Sequence, residues 1–103
     1  MATTVSGTFS ATGNSADFIP NVGKFNNSQQ FNVHIFGTFV GTVLLERSFD
    51  GTNYVGVYRY CTNTAVSYTA PGSEVLPEPE GGAIYRLRCS AYTSGTVNYR
   101  LSA

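Results

Sequence analysis

The stretch GTFVGTVLLERSFDGTNYVGVY, residues 37–58, decides the fold class of this 103-residue chain. An alternating apolar run is followed by Asp50-Gly51 and then by a second run of aromatic and β-branched residues. An Asp-Gly pair between two such runs is a strong signal for a β-hairpin, because glycine adopts positive φ without steric cost. The stretch therefore predicts two antiparallel strands, 42–49 and 54–60, with Asp50 and Gly51 in the turn.

The same two-residue period recurs along the rest of the chain, and no segment has helical periodicity. Further strands are predicted at residues 4–11, 16–19, 31–35, 65–69, 83–92 and 96–102. The side chains expected to face the core include Phe31, Val33, Ile35, Tyr85, Leu87, Cys89, Ala91, Val97, Tyr99 and Leu101. About seven or eight strands with frequent turns are typical of an all-β antiparallel sandwich, with either jelly-roll or immunoglobulin-like strand order.

Length and composition indicate one domain, residues 1–103, in which Met1–Ser6 could form a flexible or interface-ordered N-terminal arm. Six basic and six acidic residues give zero net charge, which argues against nucleic-acid binding. The sequence has neither a signal-peptide pattern nor an apolar run of the roughly 18 residues that cross a bilayer. We therefore expect no membrane partner and synthesis in the cytoplasm, where Cys61 and Cys89 stay reduced, a disulfide between them being the alternative.

The sequence offers little catalytic chemistry. The only histidine, His34, alternates away from the core face, and nothing nominates a nucleophile or carboxylate beside it. Two cysteines and one histidine do not supply the four ligands of a structural zinc site. No P-loop, nucleophile elbow or dinucleotide fingerprint is present. We therefore expect a protein that is not an enzyme and that binds neither a cofactor nor a metal.

Charged side chains provide the candidates for an interface. These are Arg86, Arg88, Arg100, Glu74, Glu78 and Glu80. The three arginines are predicted on the outer face of the last two strands, which a tight turn at 93–95 would pair directly. Clustered arginines repel one another unless an acidic group covers them, and the three glutamates lie in a proline-rich segment, 71–82, predicted as a loop. We expect the arginine face and this acidic loop to form subunit contacts.

Four segments together resemble a group of small β-sandwich virion proteins of tailed bacteriophages and prophages. They are GTFSATGNSADF at 7–18, FGTFVGTVLLERSFDGTNY at 36–54, GAIYRLRCSAYTSGTVNYRLS at 82–102, and the Pro/Glu segment before the last. Members often carry Trp after the Asp-Gly turn, where this chain has Tyr54. The resemblance implies a virion structural role, with a capsid decoration or cement protein as the first expectation.

The partners that the resemblance implies are the major capsid protein and further copies of this chain, and the location it implies is the virion surface. A tail or fibre-base component is the closest alternative. A carbohydrate-binding or adhesive sandwich is another, since the chain has seven tyrosines and the hairpin could present Tyr54 and Tyr58 as a stacking platform for a glycan.

Overall fold

The computed structural model describes residues 4–20, 30–59, 62–80 and 82–103, which form nine β-strands and no helix. The strands are β1 Thr4–Phe9, β2 Gly13–Asn14, β3 Gln30–Phe36, β4 Phe39–Ser48, β5 Val55–Gly56, β6 Ser67–Tyr68, β7 Gly72–Pro77, β8 Ile84–Gly95 and β9 Val97–Ser102. They make two antiparallel sheets packed face to face, which confirms the predicted all-β sandwich. Within these residues, no helix could span a membrane.

The first sheet has the order β1-β9-β3-β7, and the second has the order β2-β8-β4, with β5 and β6 both paired to β4. The pairing is nested. The first strand pairs with the last, β2 with β8, β3 with β7, and β4 with β5. A chain paired in this way is one long hairpin rolled into two sheets, which is the jelly-roll arrangement. The structure thus decides between the two strand orders that the sequence left open.

The chain crosses from one sheet to the other at two neighbouring places. Strand β3 passes into β4 through Gly37 and Thr38, and β8 passes into β9 through Thr96. The Thr96 N–H donates a hydrogen bond of 2.9 Å to the Thr38 carbonyl, so the pairing of β3 with β9 continues directly into that of β4 with β8. We call residues 37, 38, 95 and 96 the sheet corner. The turn predicted at 93–95 is wrong, because these residues continue β8.

The sheet corner requires glycine at two positions. Gly37 has a φ of 106° and Gly95 a φ of 89°, values that other residues adopt only with strain. A Cβ atom on Gly95 would lie 2.2 Å from the Thr38 carbonyl oxygen, and one on Gly37 would lie 2.7 Å from that of Thr96. The two backbones therefore approach more closely than any side chain permits.

The core lies between the sheets and is built from alternating residues of both. The aromatic ring of Phe31 lies 4.4 Å from that of Tyr85 and 5.8 Å from that of Phe18. Every predicted core position named above is buried except Ala91. Ala91 is exposed because the register of β8 against β4 shifts twice, beside Val40 and beside Thr42, and an extra residue at a bulge reverses the alternation.

Two local predictions, the N-terminal arm and the acidic loop, are wrong in part. Thr4–Ser6, predicted as part of an arm, belong to β1 and pair with β9 while Val5 packs against the core; Met1–Thr3 lie outside the described residues. The segment predicted as an acidic loop contains β7, which pairs with β3 over six residues.

Cys89 is a buried free thiol, whose pKa is raised by burial; Cys61 lies outside the described residues.

Candidate interaction surface

The three arginines predicted on one face are divided between the two sheets. Arg86 and Arg88 project from the outer face of β8, whereas Arg100 lies on β9 in the other sheet, opposite His34 of β3. The prediction is wrong because β8 and β9, although consecutive, do not pair. Arg86 and Arg88 are therefore neighbours, and Arg100 lies on the opposite side of the sandwich.

Glu46 forms ion pairs with both of the neighbouring arginines. It lies on β4 directly opposite Arg86, whose Nε donates a hydrogen bond of 2.8 Å to the Glu46 carboxylate, while Arg88 Nη1 lies 3.5 Å from the same group. The Arg86 guanidinium also lies 3.7 Å from the centre of the Tyr54 ring, and the Tyr54 hydroxyl donates to Asp17 at 2.6 Å. The acid over Arg86 and Arg88 is thus Glu46, not the predicted acidic loop.

Glu78 forms a second cluster at the side of the sandwich where β7 faces β5 and β6. Its side chain is fully buried, and its carboxylate lies 2.6 Å from Arg47 Nε and accepts a hydrogen bond of 2.8 Å from Arg47 Nη2. The Tyr85 hydroxyl and the backbone N–H of Glu80 also donate to it, at 2.6 and 2.8 Å. Burial acts to raise the pKa of Glu78, but the hydrogen bonds from Arg47, Tyr85 and Glu80 outweigh it and hold this pKa below its ordinary value.

Glu74 forms a third cluster of the same composition. It lies on β7 and accepts hydrogen bonds from Arg59 Nε at 3.1 Å and from Arg59 Nη2 at 2.7 Å. The Tyr68 hydroxyl donates to the same carboxylate in a short hydrogen bond. Burial and this bond to Glu74 raise the pKa of Tyr68 well above its ordinary range.

The Glu78 and Glu74 clusters, each an Arg–Glu–Tyr triad, both connect the two sheets. We call them the edge clusters. In each, the glutamate lies on or just after β7 of the first sheet, whereas the arginine and tyrosine belong to strands or connections of the second. The acidic segment predicted to contact another subunit therefore uses Glu74 and Glu78 to hold its own sandwich closed.

An open groove runs along the side that the edge clusters close. It has a volume of about 660 Å³ and is lined by Tyr58, Val75, Leu76 and Pro79, together with Arg47. A smaller hollow of about 300 Å³ adjoins it. Four of the six large hydrophobic side chains that are exposed among the described residues line one or both: Phe49, Val55, Tyr58 and Val75, which are 55, 69, 59 and 58% exposed.

The predicted hairpin turn lies beside this hollow. β4 pairs with β5 across the turn, which confirms the hairpin, and Gly51 has a φ of 77°. Asp50 Oδ1 accepts hydrogen bonds of 2.8 Å from the backbone N–H groups of Thr52 and Asn53. These bonds hold the pKa of Asp50 well below its ordinary range. The turn is therefore ordered by its own side chain, and Asp50 has a structural role.

His34 lines neither the groove nor the hollow. His34 is exposed on the outer face of the first sheet, as its alternation predicted, with its ring 5.3 Å from that of Phe36. Within the four described ranges, no three His, Cys, Asp or Glu side chains are grouped to hold a metal ion.

Sequence reasoning missed the residues that complete these clusters: Glu46, Arg47 and Arg59. Arg47 shares the core-facing side of its strand with Val43 and Leu45, and a cation at such a position indicates a buried anionic partner. That signal did not identify Glu78, because the two residues are 31 positions apart and lie on different sheets.

No family model matches the chain, and no curated protein or solved structure is found to be similar to it.

Proposed function

We propose that this chain is a structural protein of a tailed bacteriophage or prophage virion, and that it acts as a capsid decoration protein. It binds the shell formed by the major capsid protein and stabilises that shell through contacts between subunits. One observation carries the proposal: four of the five described arginines are paired with glutamates of the chain, while exposed apolar side chains gather along the groove and its adjoining hollow.

The distribution of charge supports a protein partner with a neutral, largely apolar surface. Arg47, Arg59, Arg86 and Arg88 all form ion pairs with glutamates of the same chain. Arg47, which lines the groove, is paired with the buried carboxylate of Glu78 and so brings no unpaired charge to it. Removing unpaired charges from water is costly, and the cores of protein interfaces are accordingly depleted in them.

The groove is the surface that we propose faces the shell. Its exposed side chains Tyr58 and Val75, and Val55 in the adjoining hollow, are of the aromatic and aliphatic types that occur at interfaces. Tyrosine is a frequent source of binding energy. The edge clusters fix the walls of the groove, so little ordering of the backbone opposes binding. Many copies on one shell would reinforce it together, even where a single copy binds weakly.

The test uses capsids assembled without this chain, mixed with the purified protein and collected by sedimentation. The wild-type protein should sediment with the capsids at saturation. Val75→Ser and Tyr58→Ser should each weaken binding about tenfold, since losing a buried apolar side chain costs about 1.5 kcal/mol. Val40→Ser is the matched control, because Val40 is 57% exposed but does not line the groove. Wild-type protein that stays in the supernatant, or equal losses with Val40→Ser, would contradict the proposal.

A glycan-binding role is the second candidate, and Tyr58 is the observation that favours it. An exposed tyrosine beside an open groove that also contains Gln30 and Arg47 could stack on a sugar ring while the polar groups bind hydroxyls. Binding of the isolated chain to a glycan array, lost in Tyr58→Ala, would support this role. Cosedimentation with tails instead of capsids would assign the chain to the tail or fibre base.

A further inference from the structure

The four edges of the two sheets differ in their ability to pair with another strand. In the described part of the chain, the edge at β2 contains two residues, and the edge formed by β5 and β6 contains two short pieces separated by residues 57–66. The β7 edge ends at Pro77 and contains Glu74, which is held by Arg59. Short strands, prolines and charges are the usual means of blocking an edge.

The β1 edge has none of these features. Its sequence, Thr-Val-Ser-Gly-Thr-Phe, contains no charge and no proline, and all six residues pair with β9 on one side only. Because a β-strand has hydrogen-bonding groups on both sides, alternate N–H and C=O groups of β1 point away from the sheet. A regular strand of six residues with such groups is a template for a further strand.

We propose that β1 is a self-association edge, on which β1 of a second copy of this chain pairs in antiparallel orientation about a two-fold axis. The first sheets of the two copies then form one continuous sheet of eight strands. The association needs no shell, so it extends beyond the proposed function and can fail without affecting it.

The side chains of β1 match themselves under this symmetry. Thr4, Ser6 and Thr8 lie on the exposed outer face, whereas Val5 and Phe9 lie toward the core. Residues that lie opposite each other in an antiparallel pair point to the same face of the sheet. The two-fold axis must therefore lie where one residue of β1 is opposite the same residue of the second copy. An axis at Ser6 places Ser6 opposite Ser6 of the second copy, and an axis at Gly7 places Ser6 opposite Thr8 of the second copy. Cross-strand pairs of hydroxyl side chains are favourable. This self-match identifies a second copy as the occupant.

Electrostatics do not oppose the pairing. Among the residues that the structure describes, Arg100 is the charged residue adjacent to β1 on the outer face, opposite Ser6 on the neighbouring strand. With Ser6 facing Ser6, the two copies of Arg100 would be three strand spacings apart, about 14 Å. That separation exceeds the Debye length of about 8 Å at physiological ionic strength, so their repulsion is largely screened.

Sedimentation equilibrium of the purified chain tests the proposal. The wild-type protein should be a dimer, and Ser6→Lys should weaken dimerisation at least tenfold by placing two ammonium groups at the new strand pair. Ser73→Lys is the matched control. Ser73 is exposed on the outer face of the β7 edge, in the same cross-strand row as Ser6, and its substitution should leave the dimer intact. Circular dichroism establishes that both variants fold.

Disulfide trapping tests the same contact without adding a charge to β1. In a chain with Cys61→Ser, the double variant Ser6→Cys/Thr8→Cys should form an intermolecular disulfide in either register, whereas Ser73→Cys/Val75→Cys should not. A monomeric wild-type protein, an equal loss of dimer with Ser73→Lys, or a failure to cross-link through β1 would each overturn the proposal. If the wild-type protein is a monomer and Ser6→Lys abolishes its binding to capsids, the proposal is overturned. The strand that pairs with the β1 edge would then belong to the shell.

Discussion

The two sheets of the sandwich are connected in different ways at the sheet corner and at the edge clusters. At the corner, two neighbouring strands cross between the sheets, and Gly95 and Thr38 meet through backbone atoms alone. At the edge clusters, different segments of the chain meet through side chains, with Arg47 and Arg59 each bonded to a glutamate and a tyrosine completing the group. One connection depends on the absence of side chains, the other on their charges.

This difference predicts which perturbations each region resists. The corner has no ionisable group in its backbone contacts, so pH and salt should leave it unchanged, while any added side-chain atom should disturb it. The edge clusters should tolerate changes of shape better than the loss of a charge, because a buried carboxylate without its cation is costly. The following predictions test this contrast, beginning with the largest effect.

Gly95→Ala should lower the free energy of unfolding by about 4 kcal/mol, because it adds both a strained positive φ and a steric conflict with the Thr38 carbonyl. Gly51→Ala is the control. Gly51 also has a positive φ, but a Cβ atom there would meet only the side chain of Ile84 at 3.8 Å, so we expect a cost of about 1 kcal/mol. Urea denaturation measures both values, and equal costs would show that contact at the corner is unimportant.

Arg47→Met should lower the free energy of unfolding by about 3 kcal/mol, since it leaves the buried Glu78 carboxylate without a cation; we take the lower end of the usual range because the Arg47 side chain is 34% exposed. Arg88→Met is the matched control. Arg88 is 52% exposed and lies 3.5 Å from Glu46, so its loss should cost less than about 1 kcal/mol. Chemical denaturation of the two variants should separate them clearly.

Arg59→Met should have a smaller effect than Arg47→Met, about 1.5 kcal/mol, because Glu74 is 23% exposed and water can replace part of the lost contact. The substitution also removes the hydrogen bond of 2.7 Å from Arg59 to the Ala65 carbonyl. Hydrogen exchange should show faster opening of residues 62–68 with no change at the corner. Uniform loss of protection along the chain would indicate that the cluster supports the whole sandwich.

The stability contributed by Glu78 should depend on pH. Its pKa is lowered in the folded state relative to the ordinary value of 4.5, so its contribution is complete above pH 4.5 and is lost as the pH falls through the folded pKa. The difference in unfolding free energy between wild type and Glu78→Gln should therefore narrow between pH 7 and pH 3. The difference in unfolding free energy between wild type and Gly95→Ala should not change over the same pH range. If it also narrowed, the contrast between the corner and the edge clusters would be contradicted.

Most of the core could be predicted from the sequence, because alternation is a local property. Phe31, Val33 and Ile35 face inward as their spacing indicates, and Asp50-Gly51 marks the hairpin. Strand partners could not be predicted in the same way. Thr93-Ser94-Gly95 has the composition of a turn, but the positive φ of Gly95 serves a change of sheet, and only the position of Thr38 distinguishes the two.

The candidate surface was less predictable because its charges pair over long distances in sequence. Arg86 is 40 residues from Glu46, and Arg47 is 31 residues from Glu78. Glu74 and Glu78 occur in a segment rich in proline that is typical of a loop, yet one is in a strand and the other is fully buried. The sequence around these two glutamates does not indicate that arginines from the other sheet bind their carboxylates.

The nested pairing of the strands has a consequence for biosynthesis. Thr4 pairs with Ser102 and Gly13 with Cys89, so the partners of β1 and β2 leave the ribosome after the other strands of the sandwich. A nascent chain that ends before β8 has no neighbour for β1 or β2, and its β4 is paired on one side only, with β5 and β6. Folding should therefore begin only after β8 and β9 have left the ribosome and should proceed slowly, as in other proteins dominated by contacts distant in sequence.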